Sequence, residues 1–240
     1  EFVRDYLPKE KIAQYPVGVD KNTLQVCSYP FEKQMITFVM SRSDSTGFIS
    51  ALCGVIAADG QIPLTVIDPN RSLEISGENM RLVVDKLDEE IDEWFQELVY
   101  RHNTWKEAKE QNSTIPSFEK RILLVHGLSA LRESLSEDAL DKFKLMLEKC
   151  QIAFGITFLF TAQADQIASF SFEPWFKALG TLNRGIWIGG GIADQYQLKI
   201  AKITNQLYEE LENDFGYIVS NGKPQLVKLL ADPRGEDANG

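Results

Sequence analysis

The residues that most invite a chemical reading are Arg42, Ser43, Asp44, Ser45 and Thr46, which join one apolar stretch, Met35–Met40, to another, Gly47–Ala58. A buried strand that runs through a tight loop into a helix is the arrangement that cradles phosphates. In the pattern G-x-x-x-x-G-K-[ST], glycines let backbone N–H groups curl around the oxyanions, a lysine offsets their charge and a hydroxyl holds magnesium. Here strand, loop and helix follow in that order, but the loop chemistry has changed. Thr46 keeps the hydroxyl position, Ser45 stands where the lysine belongs, and Asp44 stands where a glycine approaches the phosphates. A carboxylate there repels the ligand, and aspartate replaces glycine poorly at positive φ. No shift of register restores a lysine, because none lies between Lys33 and Lys86. Arg42 is cationic but sits early in the loop.

The second diagnostic position is altered too. Holding magnesium and polarising water need acidic groups at the tip of a later strand. The candidate strand, Arg121–Val125, is followed by His126 and Gly127. An imidazole and a glycine do neither task, and an ordinary loop histidine is the simpler account of His126. The degenerate nucleotide site is therefore read as Arg42, Ser43, Asp44, Ser45, Thr46, Asp68, His126, Gly127 and Gln163, with no catalytic residue and no metal ligand assigned. Neither ATP nor magnesium is expected as a cofactor of this domain.

The elements that must position these residues read as a mainly parallel sheet flanked by helices. Met35–Met40, Pro63–Ile67, Ile122–Val125, Ile156–Phe160 and Gly185–Ile188 are continuously apolar, as strands buried on both faces are. Between them, Gly47–Ala58 is apolar nearly all round. Glu78–Glu110 carries Leu82, Leu87, Ile91, Trp94, Phe95 and Leu98 at helical spacing, which predicts one long amphipathic helix. Ser136 opens a helix that runs to Cys150, with Glu137 and Asp138 in its first turn. Thr204–Asp214 is expected to be a further helix. Gly216–Val219 and Gln225–Leu229 flank Asn221-Gly222, a hairpin signal. Strands alternating with helices predict βαβ units and an α/β fold.

Composition narrows the function classes. With 25 Lys+Arg against 35 Asp+Glu the formal charge is −10, and no basic stripe occurs, which argues against nucleic acid. Hydrophobic residues are 44% of the 240, enough for one large domain, expected over residues 1–230 with a flexible tail at 231–240. Cys27, Cys53 and Cys150 are far apart and odd in number, so reduced core thiols are expected. No apolar run reaches the roughly 18–20 residues a membrane helix needs. The chain opens on Glu1 rather than methionine, which suggests an excerpt from a longer protein.

The order of these marks resembles the FtsK/SpoIIIE family of motor ATPases over nearly the whole chain. Leu64-Thr65-Val66-Ile67-Asp68-Pro69-Asn70 looks like that family's strand ending in Asp-Pro-Lys. Thr161-Ala162-Gln163 looks like its polar sensor strand, which ends in Ala-Thr-Gln. Within the family the chain is most similar to the last ATPase domain of the type VII secretion coupling proteins, the EssC, YukB and EccC group. The marks that carry this are Val17-Gly18-Val19-Asp20, Gly189-Gly190-Gly191-Ile192-Ala193-Asp194-Gln195, and Gly216-Tyr217-Ile218-Val219 with Asn221-Gly222. The resemblance implies a RecA-like P-loop NTPase fold in the cytoplasmic part of a bacterial cell-membrane protein. It also implies neighbouring ATPase domains on the same chain, a possible hexamer, and small helical secreted partners of the WXG100 (EsxA/EsxB-like) type.

The leading expectation is a non-hydrolysing module that recognises secreted protein or regulates neighbouring ATPase domains. Ser169–Phe176, with Phe170, Phe172, Trp175 and Phe176, is its candidate apolar surface, against the plainer reading that these aromatics are core. The alternative is an active ATPase with a non-standard site, Thr46 and Arg42 assisting and Asp68 supplying the acid. A dinucleotide enzyme on Gly189-Gly190-Gly191 lacks the G-x-G-x-x-G spacing. A nucleophilic hydrolase lacks G-x-S-x-G and has only His102 and His126 to draw on, and His102 reads as a polar-face helix residue.

Overall fold

The computed structural model describes residues 14–31, 34–42, 44–212 and 214–231. All but Ala231 of the expected tail lies outside them, as do Ser43 and residues 1–13. The strands are β1 (Gln14–Asp20), β2 (Val26–Pro30), β3 (Ile36–Ser41), β4 (Leu64–Ile67), β5 (Met80–Val83), β6 (Arg121–His126), β7 (Ile156–Gln163), β8 (Gly185–Ile188), β9 (Phe215–Ser220) and β10 (Lys223–Leu229). They form one 10-stranded sheet in the order β2-β1-β10-β9-β8-β3-β7-β6-β4-β5. From β8 to β5 every pairing is parallel, and from β8 to β2 every pairing is antiparallel.

The helices cover both faces, which is why the central strands are buried at nearly every position. Alternate residues of each strand point to opposite faces. Phe38, Met40, Leu123, Val125, Phe158 and Phe160 pack on the side of α2 (Leu87–Glu110), α4 (Glu137–Lys149) and α5 (Pro174–Ala178). Val39, Ile122, Leu124 and Leu159 pack on α1 (Thr46–Asp59), whose Phe48, Ile49, Leu52, Cys53, Val55 and Ile56 are buried. Gly60 ends α1 in the left-handed conformation (φ 65°), its N–H donating to the Ile56 carbonyl, the usual glycine stop. The three cysteines are free and buried.

Helix α4 starts as the sequence predicts, with the Ser136 hydroxyl accepting from the Ala139 N–H at 3.3 Å. The expected single helix over 78–110 is instead β5 followed by α2. Met80 and Leu82 flank the exposed Arg81 at period two alongside β4, and Lys86 turns the chain at φ 52° before the helix begins. Arg81 on β5 pairs with Glu90, whose carboxylate also accepts from the Trp94 indole at 2.8 Å, so strand and helix are tied across that turn. Asp88, Glu89 and Glu90 in the first turn suit the positive end of the helix dipole.

Among the described residues, the expected helix over 204–214 is a single 3-10 turn, Asn205–Tyr208, followed by irregular chain. Tertiary packing overrides the helical pattern there. A Cβ on Gly190 would lie 2.6 Å from the Leu211 nitrogen and 2.8 Å from the Glu209 carbonyl, so this segment lies directly on the glycine run. The β9–β10 hairpin forms as predicted, with Asn221 at φ 52° and Gly222 at φ 73°. The β1–β2 hairpin carries no such turn signal. Its turn is closed by Asp20, which accepts from the Asn22 and Thr23 N–H groups (2.8 and 2.7 Å) and from Gln225 Nε2 (2.8 Å).

The aromatic run is core rather than surface. Phe170, Trp175 and Phe176 are buried, and only Phe172 is exposed, at 84%. Nor is His102 a free polar-face residue, since its ring stands edge-on to Phe154 at 5.9 Å.

One buried cation fastens α2 to the entry of β7. Arg101, 3% exposed, donates through Nη1 to the carbonyls of Glu119 (2.8 Å) and Phe154, and through Nε to Glu97 (2.7 Å). Arg101→Met keeps the packing and orphans both carbonyls. Urea denaturation should show a loss of about 3 kcal/mol; a loss under about 1 kcal/mol would mean that the clamp is dispensable.

Candidate functional site

Parallel pairing brings the C-terminal tips of β3, β4, β6 and β7 to one edge of the sheet. Chain leaving β3 crosses through α1 to β4 on one side, while chain leaving β7 crosses to β8 on the other. A crevice opens where the crossovers diverge, the place where open α/β sheets bind ligands. Two cavities occupy it. The smaller, about 250 Å³, is lined by Asp44, Ser45, Thr46, His126, Gly127 and Gln163 of the sequence-predicted site, together with Ser41, Asn70, Ser72, Ala130, Thr161, Ala162 and Gln166. The larger, about 570 Å³, lies over β3, β7 and the loop after β8, and Gln163 and Arg42 line it.

Five residues of the smaller cavity are bonded in two sets, Asp44 with Thr46 and His126 with Thr161 and Gly127. The Asp44 carboxylate accepts from the Thr46 N–H (3.0 Å) and from the Thr46 hydroxyl (2.5 Å), so it sits at the start of α1. These bonds, the Thr46 hydroxyl first, lower its pKa. Ser45 is the residue before the helix, and its side chain makes no capping bond.

His126 is the last residue of β6, not a loop residue, and is buried. Its Nδ1 lies 3.0 Å from Thr161 Oγ1 on the paired strand, and that hydroxyl accepts from the Gly127 N–H at 2.8 Å. Burial pushes the imidazole below its ordinary 6.5, while the carboxylates of Asp68 and Asp44 pull the other way. A neutral ring satisfies both groups when the Thr161 hydroxyl gives its proton to Nδ1, leaving Nε2–H as a donor. Gly127 turns at φ 86° into the short helix α3 (Leu128–Ser134).

Two expected members are elsewhere. Asp68 is fully buried and is spent on its own loop, accepting from the Leu73 N–H at 2.7 Å and the Ser72 hydroxyl at 3.2 Å. Arg42 turns away from the smaller cavity toward the glycine run: its Nη1 is 3.7 Å from Asp194, and a Cβ on Gly191 would lie 2.5 Å from it. Ser43 lies outside the described residues. Thr161, which binds the histidine, was missed as a site residue; its signal was a hydroxyl at the polar end of an otherwise apolar strand, directly before Gln163.

No family model matches the sequence, and no curated protein matches it. Solved structures do match. The cytoplasmic domain of EssC superimposes on 96% of this chain with a TM-score of 0.73 and 16% identity, through 46% of its own length. EssC (ATPases 2 and 3) from Geobacillus thermodenitrificans does so over 96% of this chain, with a TM-score of 0.75, 15% identity and 43% of its length. Thermomonospora curvata EccC (ATPases 2 and 3), solved in complex with a signal sequence peptide, covers 94% with a TM-score of 0.66, 16% identity and 42% of its length. The fold is that of the EssC and EccC ATPase domains. The resemblance read from the sequence holds at the level of the fold, RecA-like and mainly parallel. This chain spans less than half the length of those EssC and EccC structures. Among the described residues, no helix is long and apolar enough to cross a membrane.

Charging a buried histidine opposes folding. Because the folded pKa of His126 is depressed, its contribution to stability is present above about pH 6.5 and is lost as pH falls through the folded value. A proton NMR titration should place the His126 midpoint below 6.5. Asp44→Asn removes a nearby negative charge and should lower that midpoint further; an unchanged midpoint would show that the two groups do not interact.

Proposed function

We propose that this chain is a module of a type VII secretion coupling protein that acts by recognising secreted protein or by regulating neighbouring ATPase domains, and does not hydrolyse ATP. The fold supports placement in such a machine. The observation that carries the non-hydrolysing reading is the charge of the smaller cavity. Among its described lining residues there is no lysine or arginine, and Asp44 puts a carboxylate at the start of α1. A nucleoside triphosphate brings several negative charges that this lining does not offset. The Thr46 hydroxyl, the remaining candidate for magnesium, gives its proton to Asp44. No acidic side chain stands at the tip of β6, where His126 and Gly127 lie.

The active-ATPase alternative gains nothing from the geometry, because Arg42 faces the other cavity and Asp68 holds its own loop. The proposed partners are small helical secreted proteins of the WXG100 type, with a membrane-anchored parent that carries further ATPase domains. A relative of the same fold, the Thermomonospora curvata EccC, was solved with a signal sequence peptide, which supports a peptide-recognising role for such modules.

Calorimetric titration of the chain with Mg-ATP should show no binding tighter than about 100 µM. A dissociation constant in the low micromolar range would overturn the reading. Capture of a WXG100-type protein should be lost when that protein's C-terminal tail is removed; equal capture of both forms, or of neither, would remove the support for substrate recognition.

A further inference from the structure

The two cavities differ in one respect that bears on binding. In the smaller one, Asp44, Thr46, His126, Gly127 and Thr161 bond to one another. In the larger one, Arg42, Gln163, Tyr196 and Gln197 make no hydrogen bond to another described residue that would consume their donors, and Arg42 has only the loose 3.7 Å approach to Asp194. Half-exposed ion pairs of that kind contribute little and are readily exchanged.

Arg42 is nonetheless seated. Gly191, at φ 70°, leaves the room that its guanidinium fills, so the glycine run aims the fork into the cavity. At about 570 Å³ the space suits a bound side chain or short peptide. Tyr196 stands 93% exposed at its margin.

Resting on the protein-recognition reading above, we propose that this cavity, not the nucleotide cavity, is the binding site of the module, and that Arg42 takes a peptide carboxylate in a two-pronged hydrogen bond. A guanidinium matches a carboxylate in geometry as well as charge, and the amides of Gln163 and Gln197 suit peptide main chain. Asp165 and Asp194 on the same rim discriminate against phosphate, whose greater charge they repel more strongly than a single carboxylate. Asp194 is the group a ligand carboxylate displaces from Arg42, and it is then free to accept a peptide N–H.

The test is an NMR titration of the chain with three capped tripeptides: acetyl-Ala-Gly-Ala with a free C-terminal carboxylate, the same peptide as its C-terminal amide, and acetyl-Ala-Glu-Ala amide. The proposal expects saturable shifts of the Arg42 side-chain N–H and the Tyr196 ring with at least one carboxylate peptide, and none with the neutral amide. Which of the two acts tells a chain terminus from an acidic side chain. Arg42→Gln should abolish the response, and Arg42→Lys, which keeps the charge but not the fork, should weaken it roughly tenfold. Equal shifts with the neutral amide or with inorganic phosphate, or an unchanged response in Arg42→Gln, overturn the proposal. Failure of the non-hydrolysing reading would register separately, as Mg-ATP shifts centred on Thr46 and His126.

Discussion

The parallel pairing of β3 with β7 on one side and β8 on the other is the constraint on which the rest of this structure depends. It sets Ser41 beside Gln163 and beside Ile188 in register, and β6 beside β7 sets His126 against Thr161. Residues more than a hundred positions apart thereby reach one rim with no freedom in their spacing. The helices on both faces hold this register, because a slip of one residue would send every apolar side chain of a strand to the opposite face. Whatever chemistry the rim performs is thus decided by which side chains end the strands.

At this rim, charge decides. A phosphate-binding turn needs donors and a cation around an empty seat. Here the Thr46 N–H and hydroxyl at the start of α1 have an acceptor in Asp44, and the loop's cation lines the next cavity. Asp44 and Arg42, close in sequence, face different cavities. Separating them leaves the first cavity polar and without a cation among its described lining residues, and gives the second a seated guanidinium. The same sheet edge offers a second opening, of about 570 Å³, beside the first.

Much of this was legible in the residues. The parallel strands announced themselves because burial on both faces removes polar alternation, and Gly185–Ile188 lies where it was expected. The replaced positions Asp44, Ser45, Thr46, His126 and Gly127 come together around one cavity, since a strand–loop–helix order fixes where loop residues go. What failed to show depended on contacts distant in sequence. The 204–214 segment has helical spacing, yet its backbone lies on Gly190. The strand Met80–Val83 hides inside a helical pattern because four residues fit either period. The burial of Phe170, Trp175 and Phe176 depends on neighbours such as Phe38 and Phe160, which no local window includes. The direction of Arg42 follows from the space at Gly191, a property of the β8 loop and not of its own.

The most direct measurement of the central claim is phosphate release by the isolated chain at saturating Mg-ATP, compared with Thr46→Ala. The account predicts no turnover above background for either protein, because no lysine or arginine among the described lining residues of the smaller cavity offsets the phosphate charge. Turnover by the unaltered chain that disappears in Thr46→Ala would contradict it, and would mark the cavity at the end of β3 as a working nucleotide site.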